Sequence, residues 1–111
     1  MQRIVGDFLR PETERDPRGV ADAKARLDVS YGWLNDRLKG KTWAAGEAFT
    51  LADCAAAPSL FYADWVRPIP EQFAETKAYR ARLLARPSFA RAVEEARPFR
   101  KFFPPGAPDR D

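Results

Sequence analysis

The sequence predicts an all-α fold, a bundle of about four to five helices. Three observations carry that prediction. No stretch alternates apolar and polar residues with the period of two that a half-buried strand needs. Apolar residues instead recur at spacings of three and four through most of the chain. Prolines and glycines cluster between these periodic segments rather than being scattered through them, which is where helix boundaries belong.

The first segment, residues 1–9, places Ile4, Val5, Phe8 and Leu9 on one helical face. Pro11 ends the pattern, because a residue before proline is pushed out of the helical region. Nothing at Met1 resembles an N-cap, so the segment reads as the last turns of a truncated helix. A polar connection follows, and Asp16 can cap a helix that has Pro17 at its first position. Residues 20–39 form the clearest helix, about five turns long. Val20, Ala23, Leu27, Tyr31, Leu34 and Leu38 make its apolar stripe, and Asp22, Lys24, Arg26, Asp28 and Asp36 its solvent face. Gly40 suits the left-handed position just past the helix end.

The loop 41–49 carries Trp43 and Phe49, two residues able to pin it to the core. From Thr50 to Trp65 the run LADCAAAPSLFYADWV has few polar residues on any face. A helix apolar nearly all round is expected in the middle of a bundle, and Pro58 inside it should kink the axis. Further helices are expected over 71–85 and from Pro87 to Arg97. The remainder, residues 98–111, reads as a tail.

A single domain suits a chain of 111 residues. Nineteen basic and sixteen acidic residues are interleaved, for a net charge of +3. That pattern describes a solvated surface and not a nucleic-acid footprint. The tail mixes Phe99, Arg100, Lys101, Phe102 and Phe103, a combination that can bind single strands. Without a wider basic stripe behind it, folding back over the bundle is the favoured reading. There is no histidine and only one cysteine, Cys54. Ser-His-Asp and Cys-His sites and histidine metal ligands are therefore excluded, and no internal disulfide can form. The N-terminus has neither the apolar length of a spanning helix nor the layout of a signal peptide. A cytoplasmic protein without membrane contact is the expectation.

The most informative residues are Phe49-Thr50-Leu51-Ala52-Asp53-Cys54. Thr50 is a good N-cap, and Asp53 lies three residues on, where its carboxylate can reach back to the Thr50 amide as in a capping box. Phe49 and Cys54 occupy the two positions of a hydrophobic staple. Cys54 thus reads as a small buried residue rather than a nucleophile.

This box opens an alanine-rich helix after a long amphipathic one, and an Ala-Arg-Pro-Ser-Phe segment (85–89) follows near the end. The combination resembles the C-terminal helical domain of the glutathione S-transferase superfamily. In that family a G-x-x-[apolar]-[ST]-x-A-D segment opens the central helix; here it runs from Gly46 to Asp53. The resemblance covers nearly the whole chain. It implies that Thr50 and Asp53 support folding and do no chemistry. It also implies glutathione as co-substrate of the complete protein, bound by an N-terminal thioredoxin-like domain that these residues do not supply. This chain by itself would then be inactive, with no catalytic residue and no metal. It would contribute a pocket for a hydrophobic electrophile and a homodimer surface. By the same resemblance Ile4, Asp7 and Phe8 are candidate pocket residues, core packing being the competing role for Ile4 and Phe8. Tyr62, nine residues after Asp53, is a further candidate, with a rim tyrosine of the core as its alternative. Trp65 reads as core. A non-catalytic interaction module of the same fold is the alternative function.

Overall fold

The computed structural model describes all 111 residues and contains five α-helices and no strand. They are α1 (Gln2–Phe8), α2 (Pro17–Leu38), α3 (Leu51–Val66), α4 (Ala74–Ala85) and α5 (Pro87–Ala96). Short 3-10 turns cover Glu12–Glu14 and Arg97–Phe102. The core lies where α2, α3 and α4 meet, around Tyr31, Leu38, Ala57, Leu60, Ala63, Tyr79 and Leu83.

α2 starts at Pro17 because Asp16 caps it: the Asp16 carboxylate accepts the Gly19 amide at 2.9 Å. The same residue joins α2 to α1. Its own amide donates to Asp7 Oδ1 at 2.8 Å, and Arg3 pairs with its other oxygen at 3.0 Å. α2 ends at Leu38, and Gly40 follows with a φ of 72°, a conformation that costs glycine nothing. The amphipathic stripe is half-buried to buried as its spacing predicts. The opposite face is not all solvent, however. Asp28 accepts two hydrogen bonds from the Arg67 guanidinium, at 2.8 and 2.7 Å, tying α2 to the end of α3.

α2 also supplies the cap that α4 lacks. α4 has no side-chain cap of its own. Asn35 Oδ1 accepts the amides of Glu75 at 2.9 Å and Thr76 at 3.2 Å, satisfying two of the free first-turn donors. One turn earlier, Tyr31 donates to the Arg67 carbonyl at 2.8 Å, and its own carbonyl accepts from the Thr76 hydroxyl at 3.0 Å. Residues 28, 31 and 35 thus form a polar ladder along α2. The helix expected from Glu71 begins only at Ala74, since Pro70–Phe73 closes a turn first.

Two expectations for α3 are corrected. The helix is not enclosed: Asp53, Ala57, Leu60, Phe61, Ala63 and Asp64 are buried, but Leu51, Ala52, Cys54, Ala55, Pro58 and Ser59 are exposed. Few polar residues on a helix mean that little is lost by burying any face; they do not place a neighbour there. Pro58 lies on this open face, inside the helix that spans Leu51 to Val66. Cys54 is likewise exposed, which removes the burial that a staple would give it. Phe49 turns to Trp43 instead, edge to face at 5.1 Å, with the Arg86 guanidinium 3.5 Å above its ring.

Candidate functional site

The start of α3 is built around one carboxylate. Asp53 is fully buried. Its Oδ2 accepts the Thr50 amide at 2.9 Å, and its Oδ1 accepts the Ala44 amide at 2.9 Å and the Tyr79 hydroxyl at 2.7 Å. Burial pushes its pKa up, but the hydrogen bonds from Ala44, Tyr79 and Thr50 outweigh burial and hold it below the ordinary 3.8. The Thr50 half is weaker. The hydroxyl faces the Asp53 amide in the geometry of a box, yet that amide bonds the Thr50 carbonyl at 3.0 Å, and no well-formed hydroxyl bond accompanies it. All the acceptor positions face donors of the fold, and none is left for a reactant.

The other end of α3 opens on a groove of about 570 Å³. Tyr62 and Trp65, three residues apart, project from α3 into it beside Phe61. Val5 from α1 and Leu9 just past its end, four apart, face it, as do Val93 and Ala96 from α5. Phe99, Phe102 and Phe103 close the remaining side. The tail therefore folds back over the bundle. Phe103 stacks on Tyr62, centroids 5.7 Å apart, and meets Trp65 edge-on at 5.2 Å. Arg100 lies over the Trp65 ring at 5.3 Å. A second groove of similar volume runs between α2 and α3, past Leu27, Leu34, Ala56 and Leu60.

Of the residues singled out from the sequence, Tyr62 lines the first groove. Ile4 is buried at 3% exposure, under α1 and away from both grooves. Asp7 is committed to the α1–α2 joint by its bond from the Asp16 amide. Phe8 is half-exposed beneath the Arg15 guanidinium, on neither groove. The groove takes the neighbouring positions Val5 and Leu9, because the residues that α1 buries, Ile4 and Asp7, occupy its other face. Trp65, expected in the core, is a groove wall. The spacing of Tyr62 and Trp65 on one side of α3 was a signal for this; the contribution of Phe103 from the tail had none.

The chemistry available is that of binding. The groove walls carry no nucleophile with a base beside it. No group of three or more acidic, cysteine or histidine side chains could hold a metal ion. No helix is long and apolar enough to cross a membrane.

An all-helical domain with an apolar groove beside a capped central helix is the class that fold and site define. The chain belongs to the glutathione S-transferase C-terminal domain family, whose model matches residues 3–87. It is 31% identical over 81 residues to a glutathione S-transferase of Hyoscyamus muticus, a match covering 71% of this chain and 38% of that protein. It also resembles the crystal structure of a glutathione S-transferase domain-containing protein from Marinobacter aquaeolei VT8. There the TM-score is 0.63 at 30% identity, over 80% of this chain and 48% of the other. The chain thus spans less than half the length of either.

Proposed function

We propose that this domain is the electrophile-binding half of a glutathione-conjugating protein. In that reading the groove between α1, α3 and the tail holds an apolar, aromatic-tolerant electrophile. Glutathione is the co-substrate and is bound by a thioredoxin-like domain working beside this one. The observation that carries the proposal is the groove itself, whose walls are apolar side chains from α1, α3, α5 and the tail. Concave, mostly apolar sites of this size suit small ligands. The uncovered apolar face of α3, with Leu51 83% exposed, supports a neighbouring domain, because such faces mark interaction sites.

Asp53 and Thr50 belong to folding in this proposal, and Tyr62 to binding. The setting is the cytoplasm, and the working unit is a homodimer. Exposed Val29 and Trp33, four apart on α2, support the dimer.

Titration with the neutral fluorophore N-phenyl-1-naphthylamine tests the groove. Saturable binding that quenches tryptophan emission and weakens in Tyr62→Ala is expected; no saturable binding overturns the proposal. Conjugation of glutathione to 1-chloro-2,4-dinitrobenzene by this chain alone, above the uncatalysed rate, would overturn the division of labour. The alternative, a non-catalytic interaction module, draws on the same α2 patch. Sedimentation separates the two uses of that patch: a dimer broken by Trp33→Glu supports self-association, and a monomer at high concentration speaks against it.

A further inference from the structure

A separate cleft of about 370 Å³ shares no residue with the apolar groove. Lys77, Arg80 and Leu84 line it from one side of α4, Asp64 from α3, Glu71 from the turn after α3, and Arg110 from the tail. Three cations thus meet two carboxylates. Arg80 is the member that its surroundings leave incomplete. Its side chain is 11% exposed, and the Phe61 ring lies 5.4 Å from the guanidinium carbon. A guanidinium carries five donors, and burying it without acceptors is costly. Asp64 faces Arg80 Nη2 at 3.5 Å, but its side-chain oxygens already accept the Ile69 amide, at 2.8 Å, and the Arg110 guanidinium. Nε and Nη2 of Arg80 are left buried with no acceptor.

We propose that this cleft binds a phosphate-sized oxyanion through Arg80 and Lys77. The proposal goes beyond the groove reading and does not rest on it. The anion supplies the negative charge that the cluster lacks, and a guanidinium donates to phosphate oxygens with matching geometry. Lys77 lies one turn before Arg80 on α4, and its present partner Glu71 is 90% exposed. A pair that open to water is weak, so Lys77 can turn to the anion at little cost. Arg110 keeps its hold on Asp64, and the tail stays in place. The cleft has room for a small organic group beside the anion, against Leu84. The recognised chemistry is therefore the dianionic phosphate head, free or carried as a monoester.

Calorimetric titration and thermal melts with inorganic phosphate test the site, each matched by sodium chloride at equal ionic strength to remove general screening. Saturable phosphate binding that raises the melting temperature is expected, with no such effect of chloride. Arg80→Gln should weaken phosphate about tenfold, the equivalent of one charge-assisted hydrogen bond. Lys77→Gln should weaken it severalfold, and Glu71→Gln, which frees Lys77, should tighten it severalfold. If Arg80→Gln does not fold, the Lys77 and Glu71 variants decide, since both side chains lie at the surface. Phenyl phosphate run beside inorganic phosphate separates the two sources: tighter binding of the ester assigns the cleft to phosphorylated small molecules, and equal or weaker binding assigns it to free phosphate. The proposal is overturned by a phosphate effect no larger than that of chloride, by affinity unchanged in a folded Arg80→Gln variant, or by affinity that neither Lys77→Gln nor Glu71→Gln moves.

Discussion

Tyr79 donates its hydroxyl to Asp53 Oδ1 at 2.7 Å, across 26 residues of chain, and both side chains are fully buried. This bond joins α4 to the first turn of α3, while the same carboxylate holds the loop at Ala44. One side chain thereby fixes three elements. Burial first, and then the Asp53 carboxylate, push the Tyr79 phenol above its ordinary 10.0.

That geometry ranks the substitutions. Asp53→Ala removes four hydrogen bonds, the one from the Thr50 hydroxyl long at 3.5 Å, leaves buried donors unpaired, and should cost about 3 kcal/mol or more. Tyr79→Phe should cost about 1 kcal/mol, and Thr50→Ala about 1 kcal/mol at most, since its hydroxyl contributes the weaker half of the cap. Denaturant unfolding measures all three, and a Tyr79→Phe/Asp53→Asn double-mutant cycle should give clear coupling. Additive effects would show that the bond carries no stability.

The acid limb of the stability profile should be steep. Asp53, Asp16, Asp28 and Asp111 are all held below the ordinary carboxylate value, by hydrogen bonds that outweigh the upward push of burial at Asp53 and chiefly by hydrogen bonds at the others. A lowered native pKa means that the unfolded chain binds more protons in this range. The stability these groups give is complete above pH of about 4 and is lost as pH falls through their native values. Asp53→Asn should flatten the fall below about pH 4 relative to wild type. A slope unchanged by that substitution would remove Asp53 from the account.

Asn35 is expected to matter as much as a cap within α4 would. Asn35→Ala leaves the Glu75 and Thr76 amides without their acceptor and should cost about 1–2 kcal/mol. Asn35→Asp keeps an acceptor and opposes the positive helix end, so it should recover most of the loss. Thermal melts of the two variants check this, and equal losses would refute it.

Asp64 should be the most damaging acidic residue to remove from the far end of α3. It accepts the Ile69 amide at 2.8 Å and faces Arg80 at 3.5 Å and Arg110. Burial already pushes the Arg80 pKa down against the pull of Asp64. Asp64→Ala would leave that cation buried without its counter-ion, at a cost of about 3–5 kcal/mol. Asp64→Ala combined with Arg80→Met should be less destabilised than Asp64→Ala alone, as equilibrium unfolding would reveal.

At the groove, rings should matter and the Tyr62 hydroxyl should not. That hydroxyl makes no hydrogen bond within the chain. Tyr62→Phe should leave neutral-probe affinity unchanged, whereas Phe103→Ala, which removes a stacked wall, should lower it about tenfold. Fluorescence titration distinguishes these outcomes.

The helices were legible in the sequence because they are encoded locally. The 3.6-residue stripe of α2, Asp16 before Pro17, Gly40 after Leu38 and Pro87 opening α5 each act within a few residues of themselves. The family was legible in the segment from Gly46 to Asp53 for the same reason. What only the tertiary structure decided are relationships between distant residues: Asn35 capping α4, Asp28 gripping Arg67, Tyr79 completing Asp53, and Phe103 returning to Tyr62. Periodicity reports which face of a helix is apolar. It does not report what lies opposite, and so it enclosed α3 when one face of that helix is open and buried Trp65 when it is a groove wall. It also put Ile4, Val5, Phe8 and Leu9 on one face of α1, where packing buries Ile4 and turns Val5 and Leu9 to the groove. A side chain's neighbour is set by how whole helices pack, and no single helix contains that information.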